Sequence, residues 1–149
     1  MNKSVAFYAP FDKRIKSDGY LEDFDDLKRY AKISKELTKL GFEVHSLDVF
    51  KKQKTMPSVC VFLDIPPINI NKLVDKTTKS IAILREPELI SKENFDKKRH
   101  KEFDLILTWK KSLIDHKKYL TYPSTRFESF SQISIKNTDI LDRKLCVLI

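Results

Sequence analysis

Val59-Cys60-Val61-Phe62-Leu63-Asp64 and Ser80-Ile81-Ala82-Ile83-Leu84-Arg85 are two short, almost unbroken apolar runs, each stopped by a charged residue. Runs of this length without apolar–polar alternation suit strands covered on both faces, as in parallel sheets. Between them Ile65-Pro66-Pro67 breaks the chain, and a short helix is predicted from about Asn69 to Asp75. Working outward, Ser4-Val5-Ala6-Phe7-Tyr8-Ala9 reads as a first buried strand ended by Pro10, and Leu105-Ile106-Leu107-Thr108-Trp109 as a later one. The polar segment from Lys92 to Glu102 is helix-prone. Near the N-terminus a polar loop, Phe11 to Glu22, leads to a helix beginning near Asp23 or Phe24. There Leu27, Tyr30, Ala31, Leu37 and Leu40 share one face, and Gly41 supplies the stop. Phe42 to Leu47 alternates apolar and polar, as a half-buried edge strand does. Strand, helix and strand make one right-handed crossover. Repetition of the pattern predicts an α/β, Rossmann-like layered domain with a mainly parallel sheet.

Beyond Trp109 the character changes. Tyr119 to Pro123 is read as a last short strand, and Ser124 to Ile140 is polar and aperiodic. Leu145-Cys146-Val147-Leu148-Ile149 again has a buried-strand pattern. The expectation is one domain over residues 1–140, with 141–149 opening a second domain.

Composition narrows the function. A chain of 149 residues with 41% hydrophobic and 34% charged residues can bury a single core. Gly19 and Gly41 are the two glycines, so neither a G-x-G-x-x-G dinucleotide loop nor a P-loop can be written. The net charge of +8 suits anionic partners, including peripheral contact with an anionic membrane surface. Its lysines, however, are interspersed with acids and do not interleave with aromatics, so nucleic acid is not the expected partner. Cys60 and Cys146 lie far apart in apolar runs and read as buried thiols of a reducing compartment. With no long apolar segment and too short an N-terminal run for a signal peptide, the expected location is cytoplasmic. His45, His100 and His116 are read as surface residues, and no metal-ligand spacing is present.

In open α/β sheets ligands sit outside the carboxyl ends of the strands. The residues there are Asp64 after one strand, Arg85, Glu86 and Glu88 around Pro87 after the next, and Trp109 after a third. A carboxylate beside a partly desolvated cleft can serve as a general base. Trp109 offers a face for stacking on a sugar or a base, or simply rims the core.

Ile83-Leu84-Arg85-Glu86-Pro87-Glu88-Leu89-Ile90, then Asn94-Phe95-Asp96, His100-Lys101-Glu102, Phe103-Asp104-Leu105-Ile106-Leu107-Thr108-Trp109 and Tyr122-Pro123 together resemble glycosyltransferase family 10, the α-1,3/4-fucosyltransferases. The likeness is to the acceptor-side, N-terminal domain, one half of a GT-B glycosyltransferase. It implies inverting transfer of fucose from GDP-fucose to a glycan acceptor, with the turn glutamate as general base. That role falls on Glu86, with Glu88 the alternative because the register can shift by two. Asp64, Arg85 and Trp109 are the expected substrate-binding residues. The family's donor-binding residues belong to a second domain, so no cofactor is expected in this chain, GDP-fucose is expected to bind only with that domain present, and the chain is expected to be an incomplete enzyme. The alternative is a non-catalytic module that binds glycans or anions on the same fold.

Overall fold

The computed structural model describes residues 3–9 and 28–122. The expected loop from Phe11 to Glu22, the start of the first helix, Pro123, Cys146 and the proposed second-domain strand at 145–149 lie outside the described residues.

Six strands form one sheet in which every pairing is parallel. They are β1 (Ser4–Tyr8), β2 (Glu43–Ser46), β3 (Val59–Leu63), β4 (Lys79–Leu84), β5 (Leu105–Thr108) and β6 (Tyr119–Thr121), in the spatial order β2-β1-β3-β4-β5-β6. The α/β parallel-sheet expectation is met. β2 is an edge strand, as its alternating sequence predicts. The chain steps outward from β1 to β2, then returns past β1 to β3 and continues the other way. That reversal puts a topological switch point between β1 and β3, the kind of place where open α/β sheets bind ligands.

Side-chain alternation sends the strands' apolar residues to two cores. Val5, Phe7, Leu63 and Ile83 pack with Tyr30 of helix α1 (Lys28–Lys39) on one face. Ala6, Cys60, Phe62, Ala82, Leu84 and Ile106 pack on the other with Leu47 and Phe50 of helix α2 (Leu47–Lys52) and with Phe103. Phe62 anchors this second core, with Phe103 edge-on at 5.4 Å and Tyr8 at 5.6 Å. Burial pushes the Cys60 thiol far above its ordinary range, which leaves it a small hydrophobe and not a nucleophile.

Helix α1 ends where Gly41 predicts. Gly41 takes φ +83°, its N–H donates to Thr38 O at 2.9 Å, and the Phe42 N–H donates to Leu37 O at 3.0 Å. This doubly bonded left-handed cap needs a residue without a Cβ penalty. Leu37 and Phe42 then pack against the same core.

Three sequence expectations need correction. The strand expected to run to Leu47 stops at Ser46, and Leu47 opens α2; six residues carry too little periodicity to announce a helix. From Asn69 to Asp75 only a 3-10 turn forms, Ile70–Lys72. Ile70, Leu73 and Val74 are buried at helical spacing, but the Asp75 carboxylate accepts from the N–H groups of Thr77 and Thr78 and draws the backbone into a turn. The segment from Lys92 to Glu102 is likewise split, into a 3-10 turn (Lys92–Phe95) and a single helical turn α3 (Lys97–His100). Asp96 divides them, because its extended backbone lets the side chain accept the Lys98 N–H at 2.8 Å and cap α3. Among the described residues no helix is long and apolar enough to cross a membrane.

Candidate functional site

The carboxyl edge beside the switch point is organised around Asp64. Its backbone turns left-handed, φ +73°, immediately after β3, while its N–H still bonds Ile83 O of β4 at 2.9 Å. A non-glycine residue pays roughly 1–2 kcal/mol for that conformation, least for Asp and Asn. The turn folds the carboxylate inward, where it is wholly buried. One oxygen, Oδ2, accepts from Arg85 Nε and lies 2.9 Å from both Nε and Nη2. The other, Oδ1, accepts from the backbone N–H of Arg85 (2.7 Å), the backbone N–H of Glu86 (3.0 Å) and Asn94 Nδ2 (2.7 Å). Such a charge is tolerated in the interior because donors replace its hydration.

Arg85 leaves β4 on the α1 face, and its guanidinium carbon stands 5.9 Å from the centre of the Tyr30 ring. Burial works against the cation, but Asp64 first, then Tyr30 and Glu86, outweigh it and hold its pKa above the ordinary value. Tyr30 also accepts a hydrogen bond from the Tyr122 hydroxyl at 3.3 Å, which ties the end of β6 to α1.

Asn94 completes the arrangement from the loop after β4. It is fully buried, its Oδ1 accepts the Ile65 N–H at 2.9 Å, and its Nδ2 donates to Asp64 Oδ1 and to the Glu86 carbonyl at 3.0 Å. Its own carbonyl lies 3.0 Å from His100 Nε2. Because a carbonyl only accepts, Nε2 carries the proton, and Nδ1 must then accept from the Tyr119 hydroxyl at 3.1 Å. A continuous polar chain thus runs from Tyr119 through His100 and Asn94 to Asp64, Arg85 and Glu86.

The structure brings four of the five expected site residues to neighbouring strand ends, and it sorts them. Asp64 has no exposed surface, so it acts through the turn it holds and not by touching a ligand. Arg85 keeps a fifth of its side chain exposed. Glu86 is half-buried with both of its backbone polar groups clamped, whereas Glu88, beyond Pro87, is exposed. Trp109 is 37% exposed at the end of β5, whose Thr108 pairs with Leu84 of β4, so Trp109 and Arg85 leave adjacent strands side by side. Among the described residues there is no group of three or more His, Cys, Asp or Glu able to hold a metal ion.

Two residues of this site escape sequence reasoning. Asn94 reads as one polar residue in a polar segment. His100 reads as part of the basic surface run Lys97-Lys98-Arg99, yet it is 1% exposed, because the single turn of α3 points its last residue inward while Lys97 and Lys98 face solvent. Its burial is explained by its partners, the Asn94 carbonyl six residues back and the Tyr119 hydroxyl 19 residues on.

His100 makes stability pH-dependent in a definite direction. Burial lowers its pKa below 6.5, and Lys118 and Lys97 add to this against the opposing Asn94 carbonyl and Asp96. The unfolded chain, titrating near 6.5, therefore takes up the proton first as pH falls. This contribution is complete above pH 6.5 and is lost progressively below it, down to the depressed folded pKa. Asp104 and Asp115, whose pKa values are lowered chiefly by backbone N–H donors, lose their contributions only below about pH 4. Urea midpoints measured from pH 8 to pH 4.5 should hold level and then fall from about pH 6.5, and in His100→Gln the fall over that window should flatten. An unchanged slope in the variant would assign the effect elsewhere.

No protein-family model, curated protein or solved structure matches this chain.

Proposed function

We propose that this domain is the acceptor-side half of an inverting, fucosyltransferase-like glycosyltransferase, and that Glu86 is its general base. The observation that carries this reading is the clamp on Glu86: its N–H is held by Asp64 and its carbonyl by Asn94, at the carboxyl edge of a doubly wound sheet. A base must meet the hydroxyl it deprotonates within hydrogen-bond reach, and a fixed main chain supports that. The same observation favours Glu86 over Glu88, which stands exposed past Pro87.

In the reaction the acceptor hydroxyl oxygen bonds to the anomeric carbon of fucose, its proton passes to a Glu86 carboxylate oxygen, and the bond from the anomeric carbon to the diphosphate breaks, GDP leaving with the electron pair. The oxocarbenium-like character of such transfers means that one well-placed base on the acceptor side suffices there. Trp109 supplies an aromatic face for the acceptor sugar from the adjacent strand end. Arg85, held by Asp64, lines the same edge. GDP-fucose is assigned to a second domain.

Titration of the 15N-labelled chain with a panel of neutral oligosaccharides and, separately, with GDP-fucose tests the assignment. Acceptor-type sugars should shift the amides of residues 85, 86, 88–90 and 109–111, and GDP-fucose should shift none saturably. Saturable GDP-fucose binding would place the donor site here and overturn the assignment of the half.

A further inference from the structure

Glu86 sits where ordinary backbone pairing runs out. β4 ends at Leu84, and the next residue but two, Pro87, has no N–H to give. The turn that follows closes on itself through Pro87 O, which accepts from the N–H groups of Ile90 and Ser91, so it does not reach back to Glu86. The two main-chain polar groups of Glu86 are instead held by side chains, the N–H by Asp64 and the carbonyl by Asn94. Asp64 is in turn held by Asn94 at 2.7 Å. Asn94 therefore touches Glu86 twice, once directly and once through Asp64.

Asn94 is itself fixed from three directions. Its N–H donates to Ser91 O at 3.2 Å, its carbonyl meets His100 Nε2, and its Oδ1 takes the Ile65 N–H just after the left-handed turn at Asp64. Both Nδ2 protons are used, one on Asp64 and one on Glu86. A carboxamide offers at once an acceptor to Ile65 and a donor to Asp64 at β3's exit and a second donor to Glu86 at β4's exit. Serine is too short and has one donor, and aspartate has none.

We propose that Asn94 is the positioning residue for Glu86: its carboxamide bridges the exits of β3 and β4 and sets where the Glu86 carboxylate stands. The inference rests on Glu86 as the working carboxylate of the edge, but its test reads the position of Glu86 without any transfer reaction.

The experiment is NMR on the full chain, in wild type and in Asn94→Ala and Asn94→Asp. In the wild type the two Asn94 side-chain amide protons should be slow to exchange, unlike those of exposed Asn71. In Asn94→Ala the Ile65 amide, left without its acceptor, should exchange about tenfold faster or more relative to Ile83 in β4. The Arg85 and Glu86 amides, whose acceptor Asp64 loses its Asn94 anchor, should also exchange faster, and the Glu86 carboxyl carbon should shift. Asn94→Asp retains the acceptor for Ile65 but sets a carboxylate against Asp64 Oδ1 and the Glu86 carbonyl in place of the two donors, so it should match or exceed the change at Glu86 while sparing Ile65. Should Asn94→Asp fail to fold, the wild-type side-chain exchange and Asn94→Ala still decide. Fast exchange of the Asn94 side-chain protons, or a rise in exchange that is uniform across β4 and the turn, overturns the positioning role. Local change at Glu86 in a variant of an active complete enzyme whose turnover stays at the parental level would leave Asn94 positioning Glu86 and overturn Glu86 as base.

Discussion

Asp64→Ala is expected to lower the unfolding free energy by about 3–5 kcal/mol, the cost of removing one partner from a buried ion pair. That is a large share of the roughly 5–15 kcal/mol that holds a domain together. Alanine leaves the Arg85 guanidinium without its counter-charge, and it strips acceptors from the Arg85 and Glu86 N–H groups and from Asn94 Nδ2. It also places a Cβ residue with no local side-chain compensation at φ +73°. Two further variants divide the effect. Asp64→Gly tolerates the backbone but loses the carboxylate, so it should be the milder of the two by roughly 1 kcal/mol. Asp64→Asn keeps an oxygen for the N–H donors but turns an amide toward Arg85, and it should fall between alanine and the parent. Urea unfolding followed by Trp109 fluorescence measures all three. An Asp64→Ala chain within about 1 kcal/mol of the parent would show that the pair is a bystander, as exposed pairs usually are.

How much of this was legible depends on whether the signal is local. β3 and β4 can be read directly, because five or six apolar residues in a row admit few other interpretations, and Gly41 marks its cap by composition alone. In the sequence Asp64 is a charge after a strand and reads as a ligand-facing group, since such positions usually meet solvent. Its burial depends on Arg85, 21 residues on, and on Asn94, 30 residues on, and no periodicity connects them. The same holds for His100, whose immediate neighbours are three cations and whose real environment is the Tyr119 hydroxyl and a carbonyl. The strand order is also silent in the sequence: alternating strands and helices announce crossovers, but not that the chain reverses between β1 and β3. The position of the candidate site therefore follows from the sequence only as a class of places, the carboxyl ends of strands. Which carboxylate is buried as scaffold and which is presented at the edge follows from the fold.

That division between scaffold and presented carboxylate gives Glu86→Gln its discriminating value. In an active complete enzyme containing this domain, the substitution should reduce turnover by about 10²–10⁴-fold, the usual worth of a positioned general base. Glutamine preserves the length and shape of the side chain, and the hydrogen bonds that fix this residue run through its backbone to Asp64 and Asn94, so the turn should be unmoved. Acceptor and donor affinities should accordingly change little, and the loss should appear in kcat. Glu88→Gln, made in parallel, changes an exposed carboxylate two residues away and should leave turnover near the parental value. The reverse pattern would move the base to Glu88 and show that a clamped backbone is no guide to the catalytic carboxylate in this turn. Near-parental turnover in both variants would remove the base from this strand end altogether and leave Asp64, Arg85 and Asn94 as the scaffold of a binding edge without chemistry of its own.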